Sequence, residues 1–198
     1  MNLCGRSAGR LFVLGGRTLD TWAYGEQVPG PLLRARAGDL LRVTVDNQLP
    51  VATSVHWHGI FLPNGMDGVG GLTQKHIEPG ETWVYEFSLR QHGTFMYHPH
   101  SDEMVQMAMG MMGFFVIHPR VPEAPRVDRD FAIMLMEWSI PPGTSVPNPN
   151  VMTDFNIFTF NSRAYPGTAP LVVKTGDRVR VRLGNLSMDN HPIHLHGY

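Results

Sequence analysis

The sequence predicts an all-β protein organised as a β-sandwich. Its 21 glycines and 16 prolines interrupt a chain of 198 residues with few long helical patterns, which favours short strands joined by turns. Leu41, Val43 and Val45 alternate with polar residues, the period-two pattern of a half-buried strand. Similar signals predict strands over residues 83–88, 94–98, 113–117 and 131–138.

Charge and hydropathy do not point to nucleic acid or to a membrane as a partner. The net charge is -1, so the composition gives no indication of binding to nucleic acid or to an anionic membrane. No apolar run approaches the roughly 18 residues of a membrane span. The apolar block at residues 11–14 is too short for a secretory signal, so no signal peptide is visible; we expect either a cytoplasmic protein or a missing N-terminus. Cys4 is the only cysteine, which excludes an internal disulfide.

The composition of one short segment predicts the domain organisation. Residues 121–129, with Pro122 and Pro125 among mixed charges, have the composition of an interdomain linker. We therefore expect a first domain over residues 1–120 and a second over residues 130–198. Within the first, residues 62–71 form an irregular loop, and residues 102–112 form a short helix or a Met-lined loop.

The chain also aligns with itself at an offset of 138 residues. At that offset Gly38-Asp39 matches Gly176-Asp177, Asn47 matches Asn185, and His56-x-His58-Gly59 matches His194-x-His196-Gly197. One register held through a turn, a strand and a histidine motif indicates two copies of one β-fold.

The second copy is incomplete by comparison with the first. The first continues past its His-x-His-Gly motif to His98-Pro99-His100, whereas the second stops at the equivalent point. We expect one complete sandwich and the first part of another, with unpaired edge strands and an uncovered apolar face that aggregates or recruits a partner.

Three His-x-His pairs are the candidate metal site. Residues i and i+2 of an extended strand project from one face, so each pair offers two imidazoles to the same side. Imidazole donors suit copper, zinc, nickel or iron, and six histidines are too many for one tetrahedral ion. A cluster of metals at a domain or subunit boundary is expected, from His56, His58, His98, His100, His194 and His196.

His191 is a separate candidate. Its repeat equivalent is Thr53, so we assign it to a different metal from the pair His194 and His196. The alternative is a loop histidine bonded to the backbone.

These motifs resemble a known family. His56-Trp57-His58-Gly59, Tyr97-His98-Pro99-His100-Ser101 and His191-Pro192-Ile193-His194-Leu195-His196-Gly197 are similar to three of the four copper motifs of multicopper oxidases, which include laccases. The resemblance implies cupredoxin-like Greek-key domains. It also implies copper: a type 1 copper that takes single electrons from a reductant, and a trinuclear type 2/type 3 cluster that reduces O2 to water.

The resemblance implies a role for each candidate residue. His56 and His194 correspond to type 2 ligands, and His191 to a type 1 ligand. Asp67, in Met66-Asp67-Gly68, corresponds to a carboxylate that orients water and relays protons, although a plain turn aspartate is the alternative. The type 3 ligands would be His58, His98, His100 and His196.

The departures from the family pattern lead to a further prediction. The fourth motif, His-Cys-His followed by a further His and a Met, is absent, and a blue copper site needs its thiolate. Pro99 stands where the first repeat would place such a cysteine. The pattern resembles two-domain oxidases with type 1 copper in the second domain that assemble as homotrimers. We therefore expect a C-terminally truncated fragment, with an incomplete type 1 site and doubtful activity on its own.

Five methionines follow the second histidine pair within nine residues. Thioether sulfur is soft and could hold Cu(I), whereas packing beneath the histidine strand is the simpler explanation. We expect His76, His92 and His118 to be surface or structural residues, and Glu103 to support the metal ligands at most. The methionines are Met104, Met107, Met109, Met111 and Met112.

The expected function is a laccase-like copper-dependent oxidase acting on a small-molecule or metal-ion reductant and O2. The alternative from another class is a non-catalytic copper-binding or storage protein that uses the histidine pairs and the methionines. A two-domain copper nitrite reductase is disfavoured by Pro99, and a plain interaction module by the three histidine pairs. A periplasmic or secreted location is implied by the resemblance alone.

Overall fold

The computed structural model describes residues 2–13 and 17–197, and strands make up nearly all of its regular secondary structure. The all-β prediction is confirmed. The strands are β1 (Asn2–Val13), β2 (Arg17–Tyr24), β3 (Leu33–Arg36), β4 (Leu40–Gln48), β5 (His56–His58), β6 (Thr82–Ser88), β7 (Gly93–His98), β8 (Gly113–His118), β9 (Arg129–Trp138), β10 (Ile157–Phe160) and β11 (Val179–Asn185). One α-helix, α1 (Glu103–Ala108), and a 3₁₀ turn at Asn64–Met66 complete the described elements.

Two four-stranded sheets form the first sandwich. One has the order β2-β1-β4-β6 and the other the order β3-β8-β7-β5. Their inward side chains include Val43, Tyr85, Trp57, Tyr97 and Phe115, each fully buried. The first sandwich begins with β1, which starts at Asn2 and pairs in parallel with β4. Cys4 lies in β1, and its side chain is outside the described residues, as is Tyr198.

The second part of the chain forms a three-stranded sheet of order β10-β9-β11. The inner residues Met134, Met136 and Trp138 of β9 pack with Leu19 of β2 and Phe114 of β8 in a second buried cluster. The two parts therefore share a hydrophobic core. Residues 120–126 between them are exposed, and the domain boundaries drawn from the sequence stay a prediction.

The internal repeat is present in the hydrogen bonding. Asp39 accepts a bond from the backbone N–H of Arg36 at 2.8 Å, and Asp177 accepts the equivalent bond from Lys174 at 2.9 Å. Asn47 and Asn185 also match: each side-chain oxygen accepts from the N–H two residues on, and each amide donates to the carbonyl four residues on.

The two copies differ in what covers them. Val43 and Val45 of β4 are fully buried, whereas their equivalents Val181 and Leu183 of β11 are 44% and 46% exposed. β4 lies between β1 and β6, but β11 is an edge strand that pairs only with β9 among the described residues. This is the uncovered apolar face expected from the sequence. No helix in the described residues is long and apolar enough to cross a membrane.

Candidate metal centre

Strand pairing brings the first two histidine pairs together. β5 is antiparallel to β7, with His56 opposite His98 and Trp57 opposite Tyr97. The alternation of β5 buries Trp57 completely and places His56 and His58 on the other face. The predicted projection of i and i+2 side chains therefore holds for this pair.

Three imidazoles converge at this point. Ligand atoms of His56, His58 and His98 all lie within 4.8 Å of one another. His58 Nδ1 and His98 Nε2 are 3.2 Å apart, which suits two nitrogens bound to one ion at roughly 2.0–2.1 Å each. The donors are nitrogen only, a set that suits copper.

Backbone carbonyls fix the tautomers of two of these rings. His56 Nδ1 lies 2.7 Å from the carbonyl oxygen of Asp67, and His98 Nδ1 lies 2.9 Å from that of Pro99. A carbonyl can only accept, so each Nδ1 holds the proton and each Nε2 keeps its lone pair for a metal. Burial lowers the pKa of His98 to about 4, outweighing the bond to Pro99, and so favours the neutral ring that a metal needs.

His100 stands beside these three residues. β7 ends at His98, because Pro99 has no N–H to continue the ladder, so this pair does not lie in one extended strand as expected. The ring centroids of His56 and His100 are 5.4 Å apart. Ser54 accepts a bond from the backbone N–H of His100 at 3.3 Å and one from Ser101 at 3.2 Å, which holds the turn in place.

Two carboxylates flank the cluster. Glu103, at the start of α1, has one oxygen 3.4 Å from His98 Nδ1 and the other 3.6 Å from His100 Nε2. Asp67 Oδ1 lies 3.5 Å from His56 Nδ1, and its side chain is about one third exposed. Gly68 makes this approach possible, since it has φ of +83° and a Cβ there would lie 1.8 Å from the carbonyl oxygen of Val55.

The structure does not bring the closing histidines into this group. His194 and His196 are exposed, with ring centroids 4.7 Å apart, and they lie outside any described strand. Residues 191–195 belong to none of the described strands, so projection of this pair from one face of a strand stays a prediction. Within the described residues, the group of converging ligands contains neither of them.

His191 has side-chain partners. Its Nε2 lies 2.7 Å from Ser187 Oγ and 3.6 Å from Glu137 Oε2. Glu137 is almost fully buried and accepts bonds from the backbone N–H groups of Met188 and Asp189. The partners described for the His191 ring are thus side chains, and its role as a metal ligand stays a prediction.

The remaining histidines lie apart from the three converging rings. His118 Nε2 is 3.5 Å from an Arg34 nitrogen, and burial together with the Arg34 charge lowers the pKa of His118. His92 is exposed. His76 is linked indirectly, because its Nδ1 lies 2.7 Å from the Ser101 hydroxyl that bonds Ser54.

Comparisons with known proteins place the chain in a family. Two family models, each described as multicopper oxidase, match residues 7–122 and 141–198. The chain belongs to the multicopper oxidase family. Its β-sandwich domains are therefore cupredoxin-like, and the family binds copper, which the nitrogen donors of the cluster fit.

Similar proteins span the same region. Copper resistance protein A of Pseudomonas syringae is 44% identical over 63% of this chain and 20% of its own length. Multicopper oxidase MmcO of Mycobacterium tuberculosis is 32% identical over 89% of the chain and 40% of its own length. The chain thus spans well under half of these relatives.

Solved structures agree with the fold. A multi-copper oxidase from Pseudomonas thermotolerans superposes with a TM-score of 0.85 at 33% identity, over 94% of this chain and 46% of that one. A copper nitrite reductase from Nitrosomonas europaea also superposes, with a TM-score of 0.79 at 26% identity, over 94% and 67%.

Two residues that contact His191 could not be recognised from the sequence. Glu137 and Ser187 contact His191, yet neither stands in a recognisable motif. Glu103 contacts both His98 and His100, which agrees with the supporting role expected for it.

Proposed function

We propose that this polypeptide is part of a laccase-like oxidase that couples one-electron oxidation of a reductant to reduction of O2 to water. The observation that supports it is the convergence of His56, His58 and His98, with Nε2 of His56 and of His98 left free of a proton. Copper bound there would supply the electron transfer to O2. The reductant is a small molecule, such as a phenol or an aromatic amine, or a metal ion.

The proposal gives each candidate histidine a role. His56 and His194 would hold type 2 copper, and His191 would hold type 1 copper. The type 3 ligands would be His58, His98, His100 and His196. Asp67 suits a proton relay, because its carboxylate is near His56 and partly open to water.

A neighbouring copy would complete the cluster. His194 and His196 are exposed and lie outside the group formed by the first repeat, so they are free to meet that group on another copy. We propose that three copies of the protein assemble as a homotrimer with this arrangement. By the family resemblance we further propose a periplasmic or secreted location.

Copper titration tests the proposed cluster. His58→Ala with His98→Ala removes two converging donors, and we expect copper bound per chain to fall while the fold, measured by far-UV circular dichroism, is kept. His92→Ala is the matched control, because His92 is exposed and isolated from the three converging rings. Unchanged copper binding in the double variant would overturn the assignment.

The chain by itself is proposed to lack oxidase turnover. The described site has no thiolate beside His191, and a blue copper site needs one. We expect the copper-loaded chain to consume no O2 with a phenolic reductant. An intense blue thiolate absorption together with O2 uptake would refute this.

A further inference from the structure

A small pocket lies apart from the histidine cluster, between α1 and the loops of the second repeat. Its volume is about 50 Å³. Five methionines line it, and its polar side chains are Glu137 and Ser187. The methionines are Met104, Met107, Met112, Met152 and Met188.

Only three of the five methionines in residues 104–112 line the pocket. Met104, Met107 and Met112 line it, whereas Met109 and Met111 are buried elsewhere and do not. Met152 and Met188 come from distant parts of the chain. Five methionine side chains therefore line one pocket, three from one stretch of sequence and two brought there by folding.

Core packing does not account for the two methionines at the edges of the pocket. Met104 is 45% exposed and Met188 is 58% exposed. A side chain that serves only to fill a core is normally shielded from water. Met112, at 4% exposure, forms the closed side. The sulfur-bearing side chains thus extend from the interior to the solvent.

The charge at the pocket favours a cation. Glu137 has a side chain only 3% exposed, and it lines the pocket while accepting bonds from the N–H groups of Met188 and Asp189. The nearest basic group recorded at its carboxylate is His191, at 3.6 Å. A buried carboxylate attracts a positive ion more strongly than an exposed one.

The enclosed space in the pocket is small. A cavity that holds benzene measures about 150 Å³, three times the volume found here. One ion fits without rearrangement. Thioether sulfur is a soft ligand that selects Cu(I) over hard divalent cations.

We propose that this pocket is a binding site for Cu(I), held by thioether sulfurs beside the Glu137 carboxylate. The site is distinct from the cluster of His56, His58 and His98, but it adjoins His191, because Glu137 and Ser187 line the pocket and also contact that ring. Silver(I) has the same charge and softness and does not change oxidation state readily, so it is a suitable probe.

Methyl resonances of methionine test the site. In the full chain labelled with [methyl-¹³C]methionine, we expect Ag(I) to shift the signals of the five pocket methionines, Met104, Met107, Met112, Met152 and Met188. The signals of Met109 and Met111 should stay in place. Equal shifts in both groups, or shifts only in the second group, would overturn the proposal. Reversal of these shifts on addition of a phenol would also overturn it, because the pocket would then bind the phenol instead.

Paired variants give a second measure. Met→Leu nearly conserves volume, so Met107→Leu with Met112→Leu removes sulfur and keeps the packing. We expect its affinity for Cu(I), measured by anaerobic competition with a chromogenic chelator, to fall by at least the roughly tenfold that loss of a supporting metal-site residue costs. Met109→Leu with Met111→Leu is the matched control and should bind as the wild type does.

A third variant shows whether a loss of binding comes from the lost sulfurs or from misfolding. Met152→Leu with Met188→Leu changes the other side of the pocket, where the side chains are more exposed. It should weaken Cu(I) binding in the same way. Wild-type affinity in this variant and in the Met107/Met112 variant would refute the site.

Discussion

Replacing Arg182 by Met should destabilise the contact between the two repeats. Arg182 lies on β11, and its side chain is 8% exposed. Its Nε and Nη2 each donate to the Asp130 carboxylate of β9 at 2.7 Å, and Nη1 donates to Thr94 Oγ1 of β7 at 2.6 Å. One guanidinium thus ties β11 and β9 to the strand that ends in His98.

The expected loss follows from the burial of this pair. Removing one partner of a buried ion pair costs about 3–5 kcal/mol, because the other charge is left without compensation. The Asp130 side chain is 22% exposed, so water compensates part of this loss and we expect the lower end, about 3 kcal/mol. Removing both charges, with Arg182→Met and Asp130→Leu, should recover most of it.

The pH dependence gives an independent signature. Burial alone would raise the pKa of Asp130, but its hydrogen bonds to Arg182 and the nearby positive charge outweigh burial and lower it from 3.8. A lowered folded-state pKa contributes stability above the unfolded value, and that contribution is lost as pH falls through the folded value. The wild type should therefore lose this contribution below about pH 3.8, and Arg182→Met should not show the loss.

Urea unfolding followed by tryptophan fluorescence measures both effects. The titration is made at pH 7 and at several values below pH 5. Arg178→Met, at an exposed arginine nearby, is the control and should change the free energy of unfolding by less than about 0.5 kcal/mol. A loss below about 1 kcal/mol for Arg182→Met, or acid sensitivity equal to the wild type, would refute the reasoning.

Two further predictions concern the Asp67 loop and the edge of the second sheet. Gly68→Ala forces a Cβ to within 1.8 Å of the Val55 carbonyl oxygen at positive φ, so we expect weaker copper binding and a stability loss of about 2–3 kcal/mol. Gly65→Ala meets nothing within 4 Å, so an equal effect there in copper titration and urea unfolding would contradict this. Val181→Lys with Leu183→Lys should reduce self-association in sedimentation velocity, since these residues lie on an exposed edge strand. Leu72→Lys, at an exposed loop residue, should not reduce it, and no difference between the two would count against the edge as the cause.

The parts of the fold that follow local patterns could be predicted from the sequence. The alternation around Val43 predicted a strand, and the offset of 138 residues predicted paired turns that the structure repeats bond for bond. His56 and His58 also share a face as predicted. These features depend on residues close in sequence, where period and turn chemistry decide the conformation.

Features that depend on backbone irregularity or distant contacts could not be predicted. Asp102 has a φ of +47° just before α1 and Gly110 a φ of +113° just after it. These two bends break any helical or strand register through residues 102–112, so sequence could not separate Met107 and Met112 from Met109 and Met111. Met152, Met188 and Glu137 join the pocket through tertiary packing alone, and no spacing connects them.

Helix α1 links the histidine cluster to the methionine pocket. Its first residue, Glu103, contacts His98 and His100, and one turn later Met107 lines the pocket. Gln106 is completely buried in the same helix; it accepts a bond from Thr53 Oγ1 at 2.7 Å and donates to the Ala52 carbonyl at 2.8 Å. Residues 52–53 lead directly into the strand of His56 and His58. The buried amide of Gln106 therefore fixes α1 relative to these two histidines. One helix therefore positions residues of both the histidine cluster and the methionine pocket.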